Sequence, residues 1–139
     1  MKEHIVIDTL VAKLHPNGII EITWDESIME ISVDHLKKMQ EAVCVLGEGK
    51  KCPLYFNTHQ FIGISKDAQK YAKTKEGTKY TLATAILVDS LSIKLLYNFF
   101  MTMGKPIVPT KGFTSKKDCF NWLENLTVNQ VKQTKVCKN

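Results

Sequence analysis

Short apolar runs alternate with amphipathic stretches along the whole chain, with no internal repeat and no low-complexity segment. The first run, His4 to Leu14, ends at "HPNG", where Asn17-Gly18 can take the positive φ of a hairpin turn. The run that follows, "IIEITW", alternates, with Ile20, Ile22 and Trp24 on one face and Glu21 and Thr23 on the other. That period of two predicts a half-buried strand, antiparallel to the first. Ser32 or Asp34 can then cap a helix whose Leu36, Met39, Val43 and Leu46 fall at helical spacing and which stops at "GEG". "CPLYFN" is a strand opened by a proline, which suits a first position because it has no N–H to give the ladder. Ser65 caps a second helix, "SKDAQKYAKTK", with Ala68, Tyr71 and Ala72 inward and Lys66, Lys70 and Lys73 opposite.

"YTLATAILV" has no polar face, as expected of a strand covered on both sides. A greasy helix from about Asp89 follows; Gly104 and Pro106 end it, "PIVPT" is a last short strand, and Thr114 or Ser115 caps a helix striped by Cys119, Trp122, Leu123 and Leu126. The order predicts an α/β domain with a mixed, mostly parallel five-stranded sheet, about four helices and an N-terminal antiparallel hairpin. Residues 1–126 form one domain in this reading, and 127–139 a polar, lysine-containing, frayed tail.

The greasy helix is apolar over a wider arc than one sheet face needs. Leu91, Leu95, Leu96, Phe99 and Met103 read as the core-facing stripe, extended sideways by Ile93, Tyr97 and Phe100, while Lys94, Asn98 and Thr102 share a narrow polar edge. Either neighbouring helices cover the extra arc and Lys94 extends to water, or Tyr97, Phe100 and Met101 belong to a partner or self-association surface.

Composition narrows the picture. At 139 residues, 44% hydrophobic and 24% charged, the chain is long enough for one buried core. No apolar run reaches the length of a membrane span, and the start lacks the apolar core of a secretory signal, so the expected location is the cytoplasm. Cys44, Cys52, Cys119 and Cys137 are scattered, as suits reduced thiols. The net charge of +5 invites nucleic acid, but every basic residue is lysine, so bidentate forks to base edges are absent and specific recognition is not expected. A lysine surplus along Lys66, Lys70 and Lys73 would give only weak, salt-sensitive attraction to polyanions.

From Ala83 to Leu123 the chain resembles a pattern of small bacterial SpoIIAA-like proteins: a buried strand, Ser90, Lys94, Asn98-Phe99-Phe100, Lys105-Pro106, Pro109, Phe113 and a helix ending Trp122-Leu123. Those proteins are fold relatives of STAS domains, the sulfate-transporter and anti-sigma-factor-antagonist modules. The resemblance implies a non-enzymatic binding or regulatory module acting through protein–protein contacts. It also places Ser65 near the switch serine of anti-sigma-factor antagonists, although the Asp-Ser pair and following Gly of that setting are absent, and a plain helix cap is the favoured account of Ser65. A phosphate there would sit at a helix N-terminus beside Lys66.

Strand topology gives a second candidate. The carboxyl ends of parallel strands gather Trp24, Asp25, Asn57, Thr58, Asp89, Ser90, Thr110 and Lys111, of which Asp89 and Ser90 head the greasy helix, where capping is the favoured role of Ser90. A small anion or a polar lipid head could bind there, as in the CRAL-TRIO lipid carriers that the SpoIIAA-like fold also resembles. The alternative function is therefore a carrier of a small apolar or lipid-like ligand, which predicts a cavity under the greasy helix. Catalysis is not expected: His4, His15, His35 and His59 show no metal-binding spacing, no phosphate-binding glycine loop occurs, and Cys119 lies in an apolar stripe despite its neighbours Lys116 and Lys117. No cofactor or metal is assigned.

Overall fold

Which residues pair is decided first at the N-terminus. Asp8 and Thr9 interrupt the first apolar run, and the chain turns back on itself there, with the Ile7 N–H donating to the Leu10 carbonyl at 3.0 Å. The run expected to be one strand is thus two, β1 (His4–Val6) and β2 (Leu10–Leu14). The second turn matches expectation: Gly18 has φ +88°, and its N–H donates to the His15 carbonyl at 2.9 Å. Asn17 Oδ1 accepts from the Ile19 N–H, closing a three-residue hairpin into β3 (Ile20–Trp24).

The computed structural model describes residues 3–58 and 62–138, with side chains as far as Thr127. After β3 come β4 (Glu30–Ile31), α1 (Val33–Leu46), β5 (Cys52–Asn57), β6 (Gly63–Ile64), α2 (Lys66–Ala72), β7 (Thr81–Leu87), α3 (Leu91–Thr102), β8 (Thr110–Phe113) and α4 (Lys116–Lys138). The protein is α/β, with a six-stranded mixed sheet in the order β1-β2-β3-β5-β7-β8 in place of the expected five strands. β1, β2 and β3 form an antiparallel meander, and the pairs β3/β5, β5/β7 and β7/β8 are parallel. β4 and β6 make a small parallel pair of their own, for which two residues each give too short a pattern to read.

The last strand also sits later than expected, at Thr110–Phe113 and not over Pro106–Thr110. Pro106 and Pro109 have no N–H for a ladder, so pairing begins only where they end, with the Pro109 carbonyl accepting the Thr84 N–H at 2.8 Å. The caps follow the polar residues ahead of each helix. Ser32 forms a capping box with His35 on α1, Ser65 accepts from Ala68 on α2, and Ser115 accepts from the Asp118 N–H at the start of α4. The backbone of α4 continues helical to Lys138; the side chains of Lys132, Lys135, Cys137 and Lys138 lie outside the described residues.

Because parallel strands are added in one direction, right-handed crossovers carry α1, α2 and α3 to the same face of the sheet. There Leu10, Ala12, Ile20, Ile22, Trp24 and Leu54 meet Leu36, Met39, Val43 and Leu46 of α1, together with Ala68 and Ile93. α4 covers the opposite face, where Cys119 and Leu123 pack on Ile19, Tyr55, Ala83 and Ala85. Tyr55 and His15 both meet the Phe120 ring edge-on, at 5.2 and 5.1 Å between centroids. Between α2 and β7 the chain folds so tightly that a Cβ on Gly77 would lie 1.9 Å from the Tyr71 carbonyl oxygen. Gly77→Ala should therefore cost at least about 1–3 kcal/mol in chemical denaturation. Gly63→Ala, whose Cβ would meet nothing nearer than 3.5 Å, should cost far less; equal losses would contradict this packing.

Candidate functional site

Register fixes the floor of a cavity. Across the face that carries α1, α2 and α3, neighbouring strands place Ile20, Leu54, Thr84 and Thr110 in one row and Ile22, Phe56, Ile86 and Gly112 in the next. In both rows the side chains on β7 and β8 are smaller than those on β5. The sheet is therefore filled under α1 and shallow under α3, and the unfilled space is a cavity of about 150 Å³. Its walls include Leu36 and Met39 from α1, Ala72 from α2, and Ile93, Leu96, Tyr97 and Phe100 from α3. The lining is almost wholly apolar, relieved by threonines at 58, 78, 81, 84 and 110. The hydroxyls of Thr78 and Thr110 donate to the nearby carbonyls of Thr74 and Val108.

The roof is turned differently from expectation. Ile93, Leu96, Tyr97 and Phe100, spaced at three and four, face inward, and Ile93 is only 2% exposed. The expected core stripe instead points outward, with Leu91 72%, Leu95 61%, Phe99 49% and Met103 58% exposed; of it only Leu96 turns in. Tyr97, Phe100 and Met101, expected on a partner surface, are half-buried, and Tyr97 lies against β8, where a Cβ on Gly112 would come within 3.2 Å of its ring. Lys94, Asn98 and Thr102 share the exposed side, as expected. α3 carries two apolar arcs side by side, and the periodicity of either satisfies a core-facing helix.

α3 is held at its ends. Ser90 Oγ accepts from the Ile93 N–H at 3.2 Å, so Ser90 is its N-cap. At the other end the Lys73 ammonium donates to the Phe100 carbonyl and lies 4.2 Å from the centre of the Phe100 ring. That carbonyl is in the last turn of the helix, where acceptors lack intrahelical partners and the dipole favours a cation. Burial lowers the Lys73 pKa from its usual value. Lys73 therefore does not join Lys66 and Lys70 in a solvated basic stripe, because its amine is spent tying α2 to α3.

The other candidates separate. Ser65 is half-buried, with its hydroxyl accepting from the Ala68 N–H at 3.1 Å and its own N–H donating to Ile31. Asp89, Ser90 and Lys94 border an open surface depression with Val88, Leu91 and Thr114. Trp24, Thr58 and Thr110 face the cavity, Asp25 accepts from Ser27 in a local turn, and Lys111 lies over the Phe113 ring. The strand ends thus supply two places, a half-open apolar cavity and a shallower surface depression bordered by Asp89, Ser90 and Lys94. Missing from the sequence reading was the contribution of Ile62 and Gly77 to the cavity wall, which depends on where two loops return.

Among the described residues no group of three or more His, Cys, Asp and Glu is placed to hold a metal ion, and His59 lies outside them. The nearest approach to a polar cluster is on the α4 face, where Glu21 Oε1 meets His15 Nε2 at 2.8 Å and Lys116 Nζ at 3.5 Å. Cys119 is fully buried, and burial, with a smaller push from Asp118, raises its thiol to about 11. Among the described residues no helix is long and apolar enough to cross a membrane.

Residues 12–127 match the family described as a domain of unknown function, DUF7793, and the chain belongs to that family. No curated protein matches it. Among solved structures, the crystal structure of a protein with unknown function from Arthrobacter sp. FB24 is similar at 23% identity, over 81% of this chain and 90% of that one, with a TM-score of 0.28.

Two measurements check this geometry. Ile93→Ala should cost about 2–5 kcal/mol, and Leu95→Ala should fall within about 0.5 kcal/mol of the parent protein. The reverse order would mean that α3 is turned the other way. The raised Cys119 pKa stabilises the fold fully below the ordinary thiol value of 9.0, and this contribution is lost as pH rises through about 11. Stability relative to Cys119→Ala should therefore fall between those two values, and native Cys119 should resist iodoacetamide at neutral pH; a pH-independent difference would show the thiol is solvated.

Proposed function

We propose that this DUF7793 protein is a non-catalytic binding module whose ligand is a small apolar molecule held between α3 and the sheet. The observation that carries the reading is the cavity of about 150 Å³ beneath a helix anchored mainly at its ends. Native interiors seldom leave such space, because every unfilled void forfeits contacts on its walls. An engineered apolar cavity of similar volume in another protein accepts benzene or xenon, so the size suits a molecule of about six to eight heavy atoms. The aliphatic and aromatic walls would supply the binding energy by desolvation. This is the carrier alternative drawn from strand topology, moved inward from the Asp89–Ser90 depression to the cavity itself.

A second reading has its own observation. Leu91, Leu95, Phe99 and Met103 recur every fourth residue on the outside of α3, with Ile107 55% exposed beyond them. Contiguous exposed apolar surface of this kind favours contact with another protein, which is the function implied by the SpoIIAA-like and STAS-like resemblance. Ser65 as a switch residue belongs to this reading.

The first reading is tested by filling the cavity. Thr84→Ile places added carbon on its floor without touching the ladder, and should raise thermal stability while abolishing the stabilisation that benzene gives the parent protein. If benzene shifts the midpoint of neither protein, the cavity is not a binding site. For the second, sedimentation of Phe99→Glu against the parent protein should show loss of self-association; identical monomers would remove self-contact as the role of the outer stripe.

A further inference from the structure

Trp24 ends β3 with its side chain 2% exposed, and it forms part of the cavity wall. Its indole Nε1–H has no acceptor among the described residues. The indole nitrogen only donates, and a buried donor without a partner costs about 1–3 kcal/mol. Buried polar groups are nearly always paired, so an orphan beside a void points to what the void holds. Water is a poor candidate, since a buried water takes two to four polar partners. The cavity walls from β4, α1 and β5 are Ile31, Leu36, Met39, Leu54 and Phe56, and the His35 ring of α1 lies 6.4 Å from the Trp24 ring. A charged group is excluded more firmly, because no ionised side chain lines the cavity to offset its desolvation.

We propose, resting on the ligand-binding reading, that the cavity takes a small neutral molecule with an apolar body and a single hydrogen-bond acceptor, such as a carbonyl, ether or aromatic nitrogen, which accepts from Trp24 Nε1–H. The apolar walls supply affinity that any greasy molecule of the right size shares. Trp24 supplies orientation and selects for the acceptor.

The test uses the full chain labelled with nitrogen-15, and benzene and pyridine as probes of equal size at a pH where pyridine is neutral. The protein has two indole resonances, from Trp24 and Trp122, assigned by the Trp122→Phe variant. Pyridine should move the Trp24 indole proton downfield, and benzene should bind without that shift. In Trp24→Phe, pyridine affinity should fall about three- to tenfold relative to benzene, the range expected for one neutral hydrogen bond. Pyridine binding that leaves the Trp24 proton unmoved, or a Trp24→Phe change that weakens both probes alike, overturns the acceptor proposal and leaves the cavity reading standing. Binding of neither probe overturns both. The resonance measurement is made on the parent protein and does not depend on how the variant folds.

Discussion

The drop in side-chain size across the sheet, from Leu54 on β5 to the threonines at 84 and 110 and from Phe56 to Ile86 to Gly112, is the constraint on which the rest depends. A helix laid over such a floor cannot fill it by moving closer. Tyr97 already rests against β8 at Gly112, and the chain on either side is fixed by the strands it joins. α3 therefore spans the shallow half of the sheet as a roof, capped by Ser90 at one end and held by Lys73 at the other. The cavity, the inward set of α3 residues and the half-buried ammonium of Lys73 all follow from that arrangement.

The same arrangement explains why α3 is apolar nearly all round. Its inner arc, Ile93, Leu96, Tyr97 and Phe100, lines the cavity, and its outer stripe, Leu91, Leu95, Phe99 and Met103, meets solvent. A helix with neither face densely packed is the element whose position responds most readily to what occupies the space below it. A ligand beneath α3 and a partner above it would act on one rigid element, which brings the two functional readings into a single physical frame. α4 offers no such freedom: Cys119 and Leu123 are sealed against β5 and β7, and Glu21, His15 and Lys116 join its start to β3.

Much of the fold is legible in the chain because local rules and packing agree. Leu36, Met39, Val43 and Leu46 are buried on α1, Cys119 and Leu123 on α4, and Ser32, Ser65, Ser90 and Ser115 cap as their positions predict. The turn at Gly18 follows from its positive φ and the Asn17 side chain that accepts from Ile19, both local to the turn. Errors arise where a local pattern has two solutions. Asp8 on a strand's solvent face and Thr9, a good strand former, fit a continuous strand as well as a turn, so the sixth strand is hidden in an apolar run; α3 has two apolar arcs, and the choice between them belongs to the sheet floor. The candidate site is less legible still. Asp89, Ser90 and Lys94 are adjacent by sequence logic, but the cavity depends on the register that aligns Leu54, Thr84 and Thr110, and register between parallel strands is set by contacts distant in the chain. Trp24 is readable as a buried strand residue, whereas its unpaired N–H is not.

The claim beneath all of this is that the space under α3 is a standing cavity with apolar walls. Diffraction from crystals held under xenon pressure tests it most directly. The account predicts a xenon atom bounded by Leu54, Phe56, Ile93 and Leu96, with the surrounding side chains unmoved. A xenon-free interior in which Tyr97 or Phe100 has collapsed onto Thr84 would contradict it.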